Sequence, residues 1–151
     1  MNSETLANLL KRLYKDFDVS RFEDRLKVQK FVYILQNRGI KLGYKFNFYL
    51  YGPYSTDLVR TAFGIQDYGS KGSAKFANPD VEKNFKGIIT KISGHKDDIR
   101  WLEGAASILL LKEMGFSRDR IYRQLAKKRT PFEKPDVDAI WNELEKWGWI
   151  E

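Results

Sequence analysis

Apolar residues recur at intervals of three and four along most of the chain, and this helical period gives way to a period of two in one segment, residues 44–51. The side chains that share one face of this segment are Tyr44, Phe46, Phe48 and Leu50. Such alternation is typical of a half-buried β-strand, which Gly52 and Pro53 are expected to end. The pattern predicts an α+β fold that is predominantly helical, with six to seven helices and one short strand or small hairpin.

Local start and stop signals divide the rest of the chain into helices and loops. The predicted helix starts are Ser3, Ser20 (in a capping box with Glu23), Ser55, Asn78, Asp97 or Asp98, and Ser117, and a final helix runs from Val137 to Trp147. The first helix is expected to reach Phe17. A loop is predicted at residues 67–77. Residues 44–51 are predicted to pair with a second strand near residues 75–77 or at Trp149 and Ile150.

The length of 151 residues predicts a single domain over residues 1–151, because it suffices for one core and falls short of two. The chain has no cysteine, which excludes disulfides, thiolate metal sites and a cysteine nucleophile. No apolar run approaches the roughly 20 residues that span a bilayer, and the first 17 residues lack the apolar core of a signal peptide. We therefore expect a soluble, cytoplasmic protein with no membrane partner.

The formal net charge of +7 and the isoelectric point near 9.5 favour an anionic partner, since a positive surface attracts phosphates and acidic proteins at long range. A lysine-rich solvated surface gives the same charge without any such partner. Charge alone leaves both interpretations open.

Few groups in the sequence are candidates for catalysis or metal binding. His95 is the single histidine, and its setting between two predicted helices, with Asp97 and Asp98 nearby, is that of a solvated loop residue. Glycine-rich phosphate loops and the G-x-S-x-G elbow are absent. We predict no catalytic residue, no cofactor and no metal, and hence a protein that is not an enzyme. A hydrolase with an unrecognised site is left open.

Residues 25–58 combine a basic helix, a glycine turn and an aromatic strand that ends in Y-G-P-Y-S. In order and spacing, this segment resembles the YwgA-like family of uncharacterised bacterial and archaeal proteins, and more distantly the SocA-like antitoxin domain called Panacea. The residues that carry the resemblance are Leu26, Gln29, Lys30, Tyr33, Phe46, Phe48, Tyr51, Gly52, Pro53 and Tyr54. The resemblance implies a non-enzymatic regulatory or antitoxin-like module that binds another protein, a toxin in the antitoxin case.

The same segment supplies the candidate partner-binding residues. Tyrosine rings at an exposed edge make good anchors because they bury a large area at low entropy cost. Phe46 and Phe48 are instead expected in the core. The predicted partner-binding residues are Gln29, Lys30, Tyr33, Tyr49, Tyr51 and Tyr54. Oligomerisation is left open.

Residues 110–125 resemble a helix-turn-helix, with Gly115 in the turn and Ile121 and Leu125 six and ten positions later. A last helix would complete a winged-helix-like C-terminal part, although any helical bundle uses the same connection. The alternative function is therefore a nucleic-acid-binding transcriptional regulator. Its candidate contacts are Arg118, Arg120, Arg123, Lys127 and Lys128.

Overall fold

The computed structural model describes residues 1–70 and 72–151, which form seven α-helices and one β-hairpin. The helices are α1 (Ser3–Leu10), α2 (Phe22–Asn37), α3 (Thr56–Phe63), α4 (Pro79–Ile92), α5 (Ile99–Glu113), α6 (Arg118–Ala126) and α7 (Lys134–Lys146), and the strands are β1 (Asn47–Tyr49) and β2 (Gly52–Tyr54). The prediction of a predominantly helical α+β fold is thereby confirmed.

Side-chain caps set most of the helix starts. A side-chain oxygen of the residue before the helix accepts a hydrogen bond from a backbone N–H of the first turn in α3, α4, α5 and α6. The capping residues are Ser55, Asn78, Asp98 and Ser117. These four predicted starts are confirmed.

The first two predicted capping residues, Ser3 and Ser20, are wrong. Asn2, one residue before Ser3, caps α1 by accepting a 2.8 Å hydrogen bond from the Thr5 backbone N–H. The hydroxyl of Ser20 donates to Asp18 instead of capping α2, and α2 begins at Phe22 without a side-chain cap. α1 also ends at Leu10, well before Phe17, so the chain turns away earlier than its leucine spacing predicts.

The core lies where α2 and α5 cross beneath the other elements. Both helices are buried on most sides, and Phe31, Leu35, Leu102 and Ala106 are all fully buried. α5 approaches α7 closely at Gly104, where a Cβ atom would lie 2.5 Å from the side chain of Ile140. α2 and α5 form the rigid base on which the hairpin rests.

The strand predicted over residues 44–51 is shorter in the structure, and its partner strand is the segment that directly follows it. β1 pairs with β2 in antiparallel register, with Phe48 opposite Pro53 and Tyr49 opposite Gly52. Gly52 and Pro53 therefore do not simply end a strand but form the next one. Gly52 follows the hairpin turn and has a φ of +90°. A positive φ is common for glycine at this position of a hairpin, where the chain leaves the turn and enters the second strand.

The strand partners proposed from the sequence are wrong. Residues 75–77 and the pair Trp149 and Ile150 form no strand, while residues 68–70 of the predicted loop form one 3₁₀ turn. Lys71, inside that predicted loop, lies outside the described residues. The first residues of the predicted strand, from Tyr44, are held by the side chain of Gln36, which makes two hydrogen bonds to the Tyr44 backbone instead of a ladder.

The connection between α5 and α6 is a tight turn around Gly115, whose φ is +85°. The Phe116 N–H donates to the Leu111 carbonyl and the Gly115 N–H to the Lys112 carbonyl, which is the Schellman arrangement of a helix end. α5, α6 and α7 contact one another. The winged-helix likeness of this C-terminal part stays a prediction.

Candidate partner-binding surface

The residues that carry the family resemblance contact one another across the fold. Gln29 on α2 lies within the core, where its side-chain amide donates to the Ser55 carbonyl at 2.9 Å and accepts from the Ser55 N–H at 2.8 Å. The two bonds satisfy both polar ends of a buried amide. Gln29 thus attaches the end of the hairpin to α2.

Lys30 is fully buried beside Gln29, and its Nζ donates to the Pro53 carbonyl at 2.8 Å. Burial lowers the pKa of Lys30 to about 7, because removal from water disfavours the charged form. Glu103 acts against this shift, and Lys128 adds to it. The side chain of Lys30 therefore anchors β2 from below.

Tyr33 completes the anchoring row on α2. Its ring packs edge-to-face on Phe46 with centroids 5.3 Å apart, and its hydroxyl donates to Glu113 at 3.1 Å. Burial, followed by the Glu113 carboxylate, raises the pKa of Tyr33 well above its usual value. The residue is 4% exposed.

The prediction that Gln29, Lys30 and Tyr33 contact a partner is therefore corrected. Each is almost completely buried, and its polar atoms form hydrogen bonds inside the protein. None of the three side chains is therefore accessible to another molecule. Their shared role is to position the hairpin.

The hairpin also lies directly on α5. A Cβ atom on Gly52 would come within 2.7 Å of the Ser107 Oγ, so β2 and α5 approach as closely as a residue without a side chain permits. The Ser107 Oγ is buried and, within the described part of the chain, makes no hydrogen bond. The resulting contact is tight but leaves one polar atom unsatisfied.

Lys128 holds the tip of the hairpin from the other side. Its Nζ donates to the carbonyls of Leu50 at 3.1 Å and Tyr49 at 3.4 Å, pairs with Glu103 at 3.3 Å, and lies 4.4 Å from the centre of the Phe48 ring. The residue is 6% exposed. The prediction that Lys128 contacts nucleic acid is corrected, because its ammonium faces the hairpin and not solvent.

Above these anchors, the tip exposes apolar side chains. Tyr49 is 49% exposed and Leu50 51% exposed, whereas Tyr51 and Tyr54 are half-buried. Tyr49 packs edge-to-face on Tyr54 at 5.5 Å, and the Tyr51 hydroxyl accepts a hydrogen bond from Arg129 at 3.3 Å. Tyr49 and Tyr54 thus contact each other across the strands, whereas Tyr51 lies in the turn, with its ring 5.4 Å from that of Phe22.

The end of α6 borders this tip. A groove of about 260 Å³ separates them and is lined by Phe48, Tyr49 and Leu50 on one side and by Gln124, Lys127 and Lys128 on the other. Lys127 and Lys128, at the end of the predicted nucleic-acid site, therefore border the predicted partner-binding site. We call the exposed part of these two sites the hairpin surface, and it consists of Tyr49, Leu50, Tyr51, Tyr54, Arg123, Lys127 and Arg129.

The predicted nucleic-acid contacts on α6 fall into two groups. Arg118 pairs with Asp138 at 3.0 Å and stacks on Trp141, and Arg120 lies 4.0 Å from the centre of the Phe116 ring. Arg123 and Lys127 are exposed, and neither pairs with another residue in the described part of the chain. Two of the five predicted cations thus remain fully available to an external anion.

His95 is not the solvated loop residue that the sequence suggested. Its ring stacks on Trp101 with centroids 3.9 Å apart and planes 3° from parallel, and its Nε2 lies 2.9 Å from a Glu143 oxygen. The other Glu143 oxygen accepts from Trp101 Nε1 at 3.0 Å. His95 thus joins α5 to α7.

Across residues 1–70 and 72–151, no three histidine, aspartate or glutamate side chains converge as a metal site would require.

Comparison of the chain with protein-family models, with curated proteins and with solved structures found no match. The resemblance to the YwgA-like family accordingly stays a prediction that depends on the residues named for it above.

Four residues that form or support this surface have orientations that the sequence does not predict. Strict alternation places Leu50 on the inner face, but the turn begins there and directs its side chain outward. Glu103 and Ser107 lie on a helix without any local signal that β2 would cover them. The basic residues 127–129 are evident in the sequence, but only the middle one, Lys128, faces inward. Because α6 ends at Ala126, helical periodicity does not predict which of these three side chains is buried.

In the described ranges, no helix has the length and apolar character needed to cross a membrane.

Proposed function

We propose that this chain is a non-enzymatic protein-interaction module that binds an acidic protein partner through the hairpin surface. The observation that carries the proposal is that Tyr49 and Leu50 are half-exposed while Lys128 holds the backbone carbonyls beneath them. Large apolar side chains on a fixed backbone lose little conformational entropy on binding, which is the property of an interface anchor.

The charges around the tip support an acidic partner. Arg123 and Lys127 are exposed on the neighbouring helix, and Arg129 extends along the tip to the Tyr51 hydroxyl. Cations at the rim of an apolar contact mainly accelerate association with a negatively charged surface and select against a basic one. The net charge of +7 acts in the same direction.

The antitoxin-like role is the most specific form of this proposal, and it derives from the family resemblance. In that form the partner is a toxin, the complex forms in the cytoplasm, and binding suppresses toxicity. Expression of the partner alone would then arrest growth, and co-expression of this chain would restore it. The variant Tyr49→Ala with Leu50→Ala would fail to restore growth despite normal accumulation.

The decisive experiment is site-directed photo-crosslinking in the native host. A photoreactive phenylalanine analogue replaces Tyr49, and a matched control replaces Met114, which is equally exposed at 54% but lies in the turn after α5. After nuclease treatment, position 49 should capture one discrete protein that position 114 does not. The dissociation constant of the purified pair should then rise at least tenfold, about 1.4 kcal/mol, in Tyr49→Ala or Leu50→Ala and stay unchanged in Met114→Ala. Equal capture at both positions, or an unchanged constant, contradicts the proposal.

A nucleic-acid-binding regulator is the alternative, and one observation favours it. Arg120, Arg123 and Lys127 follow one another at intervals of three and four, which places all three along one exposed side of α6. Removing one cation that binds a phosphate should reduce the slope of log affinity against log salt concentration by about one unit. The variant Arg123→Gln with Lys127→Gln should therefore flatten that dependence on duplex DNA, whereas the charge-matched control Lys41→Gln with Lys86→Gln should not.

A further inference from the structure

A second groove lies between α4 and the residues after α7, and it shares no residue with the hairpin surface. Its volume is about 410 Å³, larger than that of the groove beside the hairpin. Lys83, Gly87 and Lys91 line one wall at intervals of four residues, so they lie along one side of α4. Trp147 and Trp149 line the other wall.

The two tryptophans form an ordered, partly exposed aromatic wall. Their rings pack edge-to-face with centroids 4.9 Å apart. Arg38 donates to the Trp149 carbonyl at 3.3 Å and holds its guanidinium 5.3 Å from the ring centre, which fixes the ring in place. Gly148, with a φ of +76°, allows the chain to fold back so that both rings reach the groove. Such rings are the usual stacking surface for nucleic-acid bases.

Gly87 has no structural explanation within the fold. A glycine inside a helix is destabilising relative to alanine, and is normally kept where the backbone needs a positive φ or where a Cβ would clash. Gly87 has neither need, because its φ is not positive and a Cβ would meet no described atom within 4 Å. Its effect is to leave the groove open between Lys83 and Lys91.

The charges in the groove favour a phosphate. Lys83 and Lys91 are exposed, and in the described part of the chain neither forms an ion pair. They lie eight residues apart, about 12 Å along the helix. Among the described residues that line the groove, Asp80 is the one carboxylate, and it lies at the end beyond Lys83. Arg38, which also lines the groove, adds positive charge beside Trp149. A negative group is therefore attracted to the cations of the groove and repelled from the Asp80 end.

We propose that this groove binds a nucleotide, with the base in contact with the aromatic wall of Trp147 and Trp149 and the phosphate between Lys83 and Lys91. The proposal is independent of the partner-binding function, because it uses no residue of the hairpin surface. The ligand chemistry is shared by a free nucleotide and by one unit of a single-stranded nucleic acid. A single strand would also add its own backbone charge to the attraction.

Titration calorimetry on the full chain with adenosine monophosphate, adenosine and inorganic phosphate tests the proposal. The nucleotide should bind at least tenfold more tightly than either fragment, because base and phosphate contribute together, and it should quench tryptophan fluorescence. Gly87→Leu fills the groove with a residue that favours helix more than glycine does, and should weaken binding at least tenfold. Lys83→Gln with Lys91→Gln should do the same, and the control Lys86→Gln with Lys112→Gln should stay within twofold.

Three results would overturn the proposal. They are a dissociation constant for the nucleotide weaker than about 1 mM, equal affinity for inorganic phosphate and the nucleotide, and unchanged affinity in Gly87→Leu. A ten-nucleotide single strand titrated in parallel identifies the source: tighter binding than the monomer, still sensitive to Gly87→Leu, indicates a strand, and weaker binding indicates a free nucleotide. Arg123→Gln with Lys127→Gln should leave all of these constants unchanged, which separates this groove from nucleic-acid binding by α6.

Discussion

A side chain of any kind on Gly52 would collide with Ser107, because its Cβ would lie 2.7 Å from the Ser107 Oγ. The same glycine has a φ of +90°, a conformation that residues with a Cβ rarely adopt. Two independent constraints thus meet at the point where the hairpin rests on α5. The Y-G-P-Y segment is therefore explained by packing as well as by turn geometry.

We expect Gly52→Ala to lower the free energy of unfolding by about 2 kcal/mol or more, since the left-handed conformation and the collision both oppose it. Ser107→Ala alone should be nearly neutral or stabilising, because the Oγ it removes is buried without a hydrogen bond. In the double variant, part of the Gly52→Ala loss should be recovered. Urea unfolding of the four proteins measures this coupling, and strictly additive values would argue against the collision.

The buried Lys30 should give stability a distinctive dependence on pH. Its pKa is lowered to about 7 in the folded protein from about 10.5 when unfolded, so between these values the unfolded chain holds a proton that the folded one does not. The free energy of unfolding should therefore rise with pH across this window, by up to about 1.4 kcal/mol per pH unit from this group. Below pH 7 both states are protonated, and the buried charge destabilises the fold.

Lys30→Met should flatten this rise while keeping most of the side-chain volume. Urea unfolding of both proteins between pH 6 and pH 9.5 provides the comparison. Above pH 10 the trend should reverse, because burial raises the pKa of Tyr14 and Tyr33, and these tyrosines then ionise in the unfolded chain first. Parallel pH profiles for the two proteins below pH 10 would show that Lys30 is not the group responsible.

The adjacent lysines 127 and 128 should behave oppositely. Lys128→Met removes the donor for two carbonyls of the hairpin tip and leaves the Glu103 carboxylate without its partner, so we expect a loss of about 2 kcal/mol in stability. Lys127→Met, at an exposed position, should change stability by less than about 0.5 kcal/mol. Thermal unfolding distinguishes them, and equal effects would mean that Lys128 is not an anchor.

Stability should be insensitive to the side chains that the tip exposes. Because Tyr49 and Leu50 are each about half-exposed, Tyr49→Ala and Leu50→Ala should each cost under about 1 kcal/mol. Hydrogen exchange at β1 and β2 should stay as slow as in the parent protein. Faster exchange throughout the hairpin would assign these residues to folding and not to partner binding.

Gly87→Ala separates stability from ligand binding in the α4 groove. The substitution should raise the free energy of unfolding by about 1 kcal/mol, since alanine favours a helix and meets no neighbour there. Nucleotide affinity should fall at the same time, because the methyl group enters the groove. A variant that gains stability without losing affinity would contradict the assigned role of Gly87.

The helices are largely predictable because their signals are local. Ser55, Asn78 and Ser117 cap helices through bonds to residues two or three positions away, and the sequence displays such pairs directly. The predicted start of α2 is wrong for the same physical reason: the Ser20 hydroxyl bonds to Asp18, an equally local alternative that the pattern does not exclude.

The candidate surface is predictable only in part because its construction is non-local. The sequence shows the motif residues, and it led us to expect that Gln29 and Lys30 contact a partner directly. Their hydrogen bonds instead reach residues of the same chain that lie 26 and 23 positions further along. Nothing near Lys128 indicates that the hairpin would cover it from 78 positions away. Sequence pattern thus identifies which residues matter, and the three-dimensional fold decides which of them face outward.

The pairing of Phe48 with Pro53 limits how the small sheet can grow. At this pair the backbone groups point away from the partner strand, and on the β2 side Pro53 has no N–H while its carbonyl is occupied by Lys30. A strand from a second molecule would find neither a donor nor a free acceptor there, so edge-to-edge stacking into fibrils is blocked on that side. The buried lysine therefore has a second consequence, which is to close the β2 edge of the hairpin to further strand pairing.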